Sequence, residues 1–455
     1  MAGKARLARI ELPEFGMPTV QPEVPRATYA RRLEALLARM AAAGLDALVV
    51  YGDREHAANV AWLTGYDPRF EETLCIVRPG HRPTLLVGNE GWAYAAVARL
   101  DVEVRLWQPL SLLAQPRDRV RPLPDLLREA GLDRGQRLGV AGWKYDVADP
   151  AWLEVPHWLV TALAGFATPR NAGDLFMDAG TGLRIVNDAD QLAAFEFAAC
   201  HTSTAVRDAI RALRPGMSEL ALSRAMGLTG LPSSVHLVLT SGERTALGLA
   251  SPSGRVIGEG DPLAVAYGVW GALNCRAGFA VADAAGLPEA IRDYVERLVA
   301  PYFACVAEWY ETLGLGVPGG VLHDLVQRHI GDPFFGVGLN PGHSIHLDEW
   351  VNSPVLPGST VAFPSGAAVQ CDIIPATGTP WFTTNIEDGV ALADAPLREE
   401  LAARYPEAWG RIEARRAFMR EALGIRLRPE VLPFSNIAGW LPPFLLDPGR
   451  AMTVA

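Results

Sequence analysis

Apolar residues fall along the chain in two kinds of pattern, and each predicts an element. Leu33, Leu36, Leu37 and Met40 recur at i, i+3, i+4 and i+7, which predicts an amphipathic helix over residues 28–44, closed by Gly44. Leu45–Tyr51 then reads as a buried strand. Leu74–Val77 and Thr84–Val87 flank Arg78-Pro79-Gly80, a turn signal between two strands. Strands alternate with helical stretches to about residue 180, which predicts a smaller α/β domain. A long helix is expected from Asn187 or Asp188, either a good N-cap, with Leu192, Phe195, Ala199, Val206, Ile210 and Leu213 on its buried face and Pro215-Gly216 as its stop. The boundary is placed just before it, giving domains 1–183 and 184–455. A second helix is expected over 288–310, kinked or split by Pro301. Leu263–Tyr267, Val361–Phe363, Ala368–Ile374 and Gly389–Leu392 read as strands, and the stretch after 395 as helical through about 422. The tail, with Leu432-Pro433-Phe434 and Leu441-Pro442-Pro443-Phe444, reads as an extended packed arm.

Composition narrows the function classes. At 455 residues two domains are the natural division, and 49% hydrophobic with 20% charged residues is ordinary for a globular protein. The net charge is −10 with no Lys/Arg cluster, which argues against a nucleic-acid surface. Lysine occurs only as Lys4 and Lys144, so a Schiff-base mechanism has few candidates. The first twenty residues carry charges and prolines with no apolar core, unlike a signal peptide, and no apolar run approaches the ~18 residues of a membrane span. Five scattered cysteines without a CxxC fit a reducing compartment, so a cytoplasmic location is expected.

Five short motifs occur in order over residues 187–395. They are Arg214-Pro215-Gly216-Met217-Ser218-Glu219 after the long helix, Gly260-Asp261 before a strand, Pro341-Gly342-His343-Ser344-Ile345-His346-Leu347-Asp348, then Ile374-Pro375, then Glu387-Asp388. In this order they resemble the landmarks of the creatinase/aminopeptidase P ("pita-bread") family, and Asn59–Gly65 is similar to part of that family's first domain. The resemblance implies an α+β protein: a pita-bread C-terminal domain behind a smaller α/β creatinase-like N-terminal domain. It also implies a homodimer with a small-molecule substrate.

In metal-dependent members of that family two Asp, one His and two Glu bind two divalent ions, since carboxylates bridge cations and cancel their charge. Carried over, the first Asp falls on Ala266, the second on or near Cys275, the His on His343, the first Glu on Ile374 and the last on Glu387. Two ligands of five do not hold a cation pair, so no metal and no cofactor is expected. Asp372 shares a strand face with position 374 and partly compensates. Creatinase, the metal-free branch, is no closer: its catalytic His falls on Leu249.

Several residues are candidates for chemistry without metal. A Cys275–His343–Glu387 relay would make an activated thiolate, whereas Cys275 as a plain buried thiol is the commoner case. His343 or His346 could act as general acid–base with Asp372 or Glu387, or be a structural remnant. Arg276 is either a clamp for a substrate carboxylate or the partner of Asp283, Glu387 or Asp388. Arg69 and Phe70 resemble in placement the segment that, in creatinase-like dimers, reaches the other subunit's pocket; the plain alternative is a solvated turn. Asp348-Glu349-Trp350 reads as a loop feature in preference to a carboxylate entering the cleft. The expected function is a metal-independent, creatinase-like hydrolase or lyase acting on a C–N bond of a small, amino-acid-like, carboxylate-bearing substrate. The alternatives are an Xaa-Pro metallopeptidase with a rebuilt metal site and a non-catalytic binding protein.

Overall fold

The structure, a computed structural model, describes residues 4–454. They form two compact units. One is Val24–Ile185; the other starts at Val186 and also takes in the chain up to Glu23. The early residues, assigned from the sequence to the first domain, therefore pack in the second unit. The reason is a strand pairing: Ala5–Arg9 lies antiparallel to Arg450–Val454, with Leu7 opposite Met452.

In the first unit the helix runs Arg26–Ala42, with Leu36 and Met40 buried and Leu33 and Leu37 half-buried. The sheet has six strands, in spatial order Glu103–Leu106, Thr84–Val87, Thr73–Val77, Ala47–Gly52, Leu138–Ala141 and Arg170–Asn171. The three middle strands joined by the Arg78-Pro79-Gly80 turn and the Ala58–Thr64 helix pair antiparallel, and the flanking pairings are parallel. Val49, Leu74, Leu86, Leu127 and Leu138 make its core.

The second unit is organised by a 24-residue helix, Ala189–Ala212, whose N-cap Asp188 accepts a hydrogen bond from the Gln191 N–H. The helix packs on a seven-stranded antiparallel sheet. The sheet runs His343–Ser344, Ala368–Asp372, Asn385–Leu392, Ala272–Phe279, Pro262–Val269, Val238–Ser241, with Val431–Pro433 also on Asn385–Leu392. The 288–310 stretch is divided as its proline implies: a 3₁₀ turn at Glu289–Ile291, a π-type turn at Val295–Val299, then an α-helix Ala300–Thr312. Pro301 sits in the first turn of that helix, where a missing N–H costs nothing. Two expectations differ. Val361–Phe363 makes only an isolated bridge from Ala362 to Pro318, with Pro364 following. The region after 395 is two helices, Ala395–Arg404 and Pro406–Glu421, broken at Tyr405 because a proline follows it. None of the described helices is long and apolar enough to cross a membrane.

Candidate active site

Antiparallel register builds the site. Ala266 lies opposite Cys275, Cys275 opposite Glu387, and Glu387 opposite Asp372. Directly opposed residues point to the same face, so these four side chains form one line across four strands. Two places away on the last strand, Gln370 lies opposite His343 and its amide donates to the Leu273 carbonyl at 2.8 Å and to Glu387 Oε1 at 3.4 Å. His343 is reached through Gly342, whose φ is +125°; a Cβ there would lie 3.0 Å from the Trp309 ring and 3.1 Å from the Gln370 carbonyl oxygen. Glycine alone fits that approach.

After His343 the chain folds back on itself. The Ser344 N–H donates to the Asn352 carbonyl, and the Val351 N–H donates to the Ser344 carbonyl. This short return lays Trp350 flat on the His343 ring, with centroids 4.2 Å apart at 16°, and brings Glu349 Oε1 to 3.0 Å from His343 Nε2. Asp372 Oδ2 and Glu387 Oε1 stand 3.8 and 3.9 Å from the same nitrogen. The Asp348-Glu349-Trp350 segment thus carries a carboxylate into the cleft, against the loop reading. No periodic signal marks Glu349; only the turn brings it in.

Three acids around one buried imidazole set the electrostatics. Burial by itself pulls the imidazole pKa down, but Glu349, Glu387 and Asp372 outweigh it and lift His343 to about 10. Burial pushes Asp372 up to about 6, with His343 opposing and Glu349 adding to the rise. Burial and the Asp372 charge raise Glu387 well above its ordinary value.

Other candidates fall elsewhere. Cys275 lines the site, but burial first, then the Glu387 and Asp372 charges, drive its thiol well above the ordinary value. A protonated thiol is no thiolate nucleophile, and the proposed relay loses its first member. Arg276, one residue on, points to the opposite face of the sheet. It is fully buried and paired to Asp388 at 2.7 Å, so it does not clamp a substrate. His346 is buried edge-on against Phe195, and its Nδ1 accepts from the Leu347 N–H. Arg69 and Phe70 belong to the first unit. Phe70 is 51% exposed; Arg69, at φ +62°, pairs with Asp67 at 3.6 Å and lies over the Tyr94 ring.

The family's cation pair does not fit this line of residues. A methyl group and a thiol stand at Ala266 and Cys275, leaving only Glu387 and Asp372 as acids in the line. What the residues can gather is smaller: His343, Glu349 and Glu387 offer ligand atoms all within 4.8 Å of one another.

A mixed sheet domain ahead of an antiparallel sheet backed by a long helix, with His343 and Glu387 on one face of that sheet, is the arrangement of the pita-bread fold. Residues 32–149 match the creatinase/prolidase N-terminal domain family. No curated protein sequence matches the chain. Among solved structures it is similar to the prolidase of Thermococcus sibiricus (18% identity, TM-score 0.63, covering 80% of this chain and 95% of that one). It is similar also to the prolidase of Pyrococcus horikoshii OT3 (16%, 0.61, 80% and 95%) and the X-Pro aminopeptidase of Thermotoga maritima (17%, 0.60, 80% and 95%). Over most of its length the chain thus has the fold of these prolidases, and residues 32–149 carry the creatinase/prolidase N-terminal domain.

Proposed function

We propose that the protein is a hydrolase that cleaves a C–N bond of a small, amino-acid-like substrate at the cluster around His343. The observation that carries this reading is the convergence of Glu349, Asp372 and Glu387 on His343 Nε2, all within 3.9 Å. Two of these acids, Asp372 and Glu387, are buried, and buried acids facing one another are costly to maintain for stability alone; such clusters mark sites of chemistry. Asp372 is 6% exposed, and its Oδ1 has no hydrogen-bond partner. In the proposed reaction that oxygen takes a proton from the attacking water. The water oxygen bonds to the carbon, the C–N bond breaks, and Asp372 returns the proton to the leaving nitrogen. His343, held by Trp350 and Glu349, orients the acids. The carboxylate-bearing part of the substrate expectation loses its support in this unit, because Arg276 is spent on Asp388.

The test is a panel of small amides, amidines, ureas and Xaa-Pro dipeptides, assayed for released amine with the native chain, Asp372→Asn and Cys275→Ser. Turnover of at least one class is expected, lost in Asp372→Asn by about 10²–10⁴-fold and kept in Cys275→Ser. A folded native chain that releases no amine from any member of the panel sinks the reading.

A further inference from the structure

The site lacks the acids for two cations, yet its remaining groups are arranged for one. Nδ1 of His343 is 3.3 Å from the Ser344 carbonyl oxygen. A carbonyl only accepts, so Nδ1 carries a proton, and Nε2 is the nitrogen left to face a cation, which would displace any proton held there. This is the usual way in which an outer hydrogen bond prepares a metal-binding imidazole. Nε2 is fully buried and, although 3.0 Å from Glu349, makes no aligned hydrogen bond. Asp372 Oδ1 beside it is buried and unpartnered as well. Ligand atoms of His343, Glu349 and Glu387 lie within 4.8 Å of one another, and Asp372 Oδ2 stands 3.8 Å from the imidazole.

Charge leads to the same place. Three carboxylates face one imidazole, and Arg276, next to Cys275 in the chain, lies on the other side of the sheet with every nitrogen engaged. A divalent cation would balance this set. One nitrogen and carboxylate oxygens suit a borderline first-row ion, and three protein ligands leave a position open.

We propose that the chain binds one divalent transition-metal ion, with His343 Nε2, Glu349 and Glu387 as ligands and Asp372 beside them. Glu349 replaces, from the return turn after His343, acids that Ala266 and Cys275 no longer supply. This deepens the hydrolase reading at the same cluster, but the binding of the ion is tested without it.

The full-length chain, stripped with chelator, is titrated with Co²⁺ and with Zn²⁺. Bound metal is counted by elemental analysis after dialysis, and the Co²⁺ visible spectrum reports the ligands. One equivalent per chain is expected, with a rise in the thermal midpoint. Glu349→Gln, in a partly exposed turn and therefore mild for folding, is expected to weaken binding by more than the ~10- to 100-fold that follows loss of an outer-shell partner. His343→Ala is expected to abolish it. Two equivalents, no binding, or one equivalent held equally well by Glu349→Gln overturns the proposal. Turnover by a chain that binds no ion overturns it while leaving the hydrolase standing; one tightly bound ion with no amine released from any substrate does the reverse.

Discussion

Arg276 spends every guanidinium nitrogen inside the protein. Nε donates to the Trp440 carbonyl, Nη1 to its neighbour Cys275, and Nη2 to Asp388 and the Ile437 carbonyl, all at 2.6–2.7 Å. Asp388 also accepts from Asn274, Ser435 and the Gly439 N–H. Such a pair is worth little against an apolar replacement of both partners, but removing one partner strands a buried charge. Arg276→Met is therefore expected to lower stability by about 3–5 kcal/mol, read from the urea midpoint. Unchanged stability with weakened substrate binding would return Arg276 to the role of a clamp. Strand alternation makes Cys275 and Arg276 face opposite ways, and that much is readable from sequence. Which way each faces depends on the pairing with Glu387, and sequence leaves that open.

At the scale of elements, the long helix Ala189–Ala212 is tied to Pro406–Glu421 by a buried carboxylate. Glu196 pairs with Arg411 at 2.6 Å and Arg415 at 2.7 Å. Burial alone would raise its pKa; the Arg415 and Arg411 charges outweigh that and hold it below the ordinary 4.5. A carboxyl depressed in the folded state stabilises fully above its unfolded value, and that contribution fades as the pH falls through the folded one. Stability is thus expected to drop below about pH 4.5, and Glu196→Gln is expected to remove part of this acid slope while lowering the neutral-pH midpoint. Denaturation across the acid range checks both. The helix itself was legible, because its cap, apolar face and Pro-Gly stop are all local. The Glu196–Arg415 tie spans 219 positions and leaves no local trace.

On the scale of the whole chain, the second unit is closed by strands from both ends. Ala5–Arg9 pairs with Arg450–Val454, Ile10 and Leu12 are buried in the second unit's core, and Phe15 meets Phe418 edge-on at 5.9 Å. Deleting residues 1–12 exposes a strand edge and forfeits about 1.5–3 kcal/mol for each of Ile10 and Leu12. Limited proteolysis of that truncation is expected to cut the second unit faster and leave the rate in the first unit unchanged. Equal rates in both would show that the arm is dispensable. Every pairing here has its partner hundreds of residues away, so a reading by segments assigned the arm to the domain it precedes in sequence.

By itself the sequence determined the elements whose causes are short-range: caps, periodic faces, proline breaks, and the ordered motifs that resemble a pita-bread domain. It also determined which acids are missing, since Ala266 and Ile374 carry no carboxylate in any fold. The tertiary structure alone decided what remains beside His343. Register set Asp372 opposite Glu387, and a return turn brought Glu349 to the imidazole, because a site is defined by distance in space and side chains from separate strands meet only after the sheet has chosen its pairing.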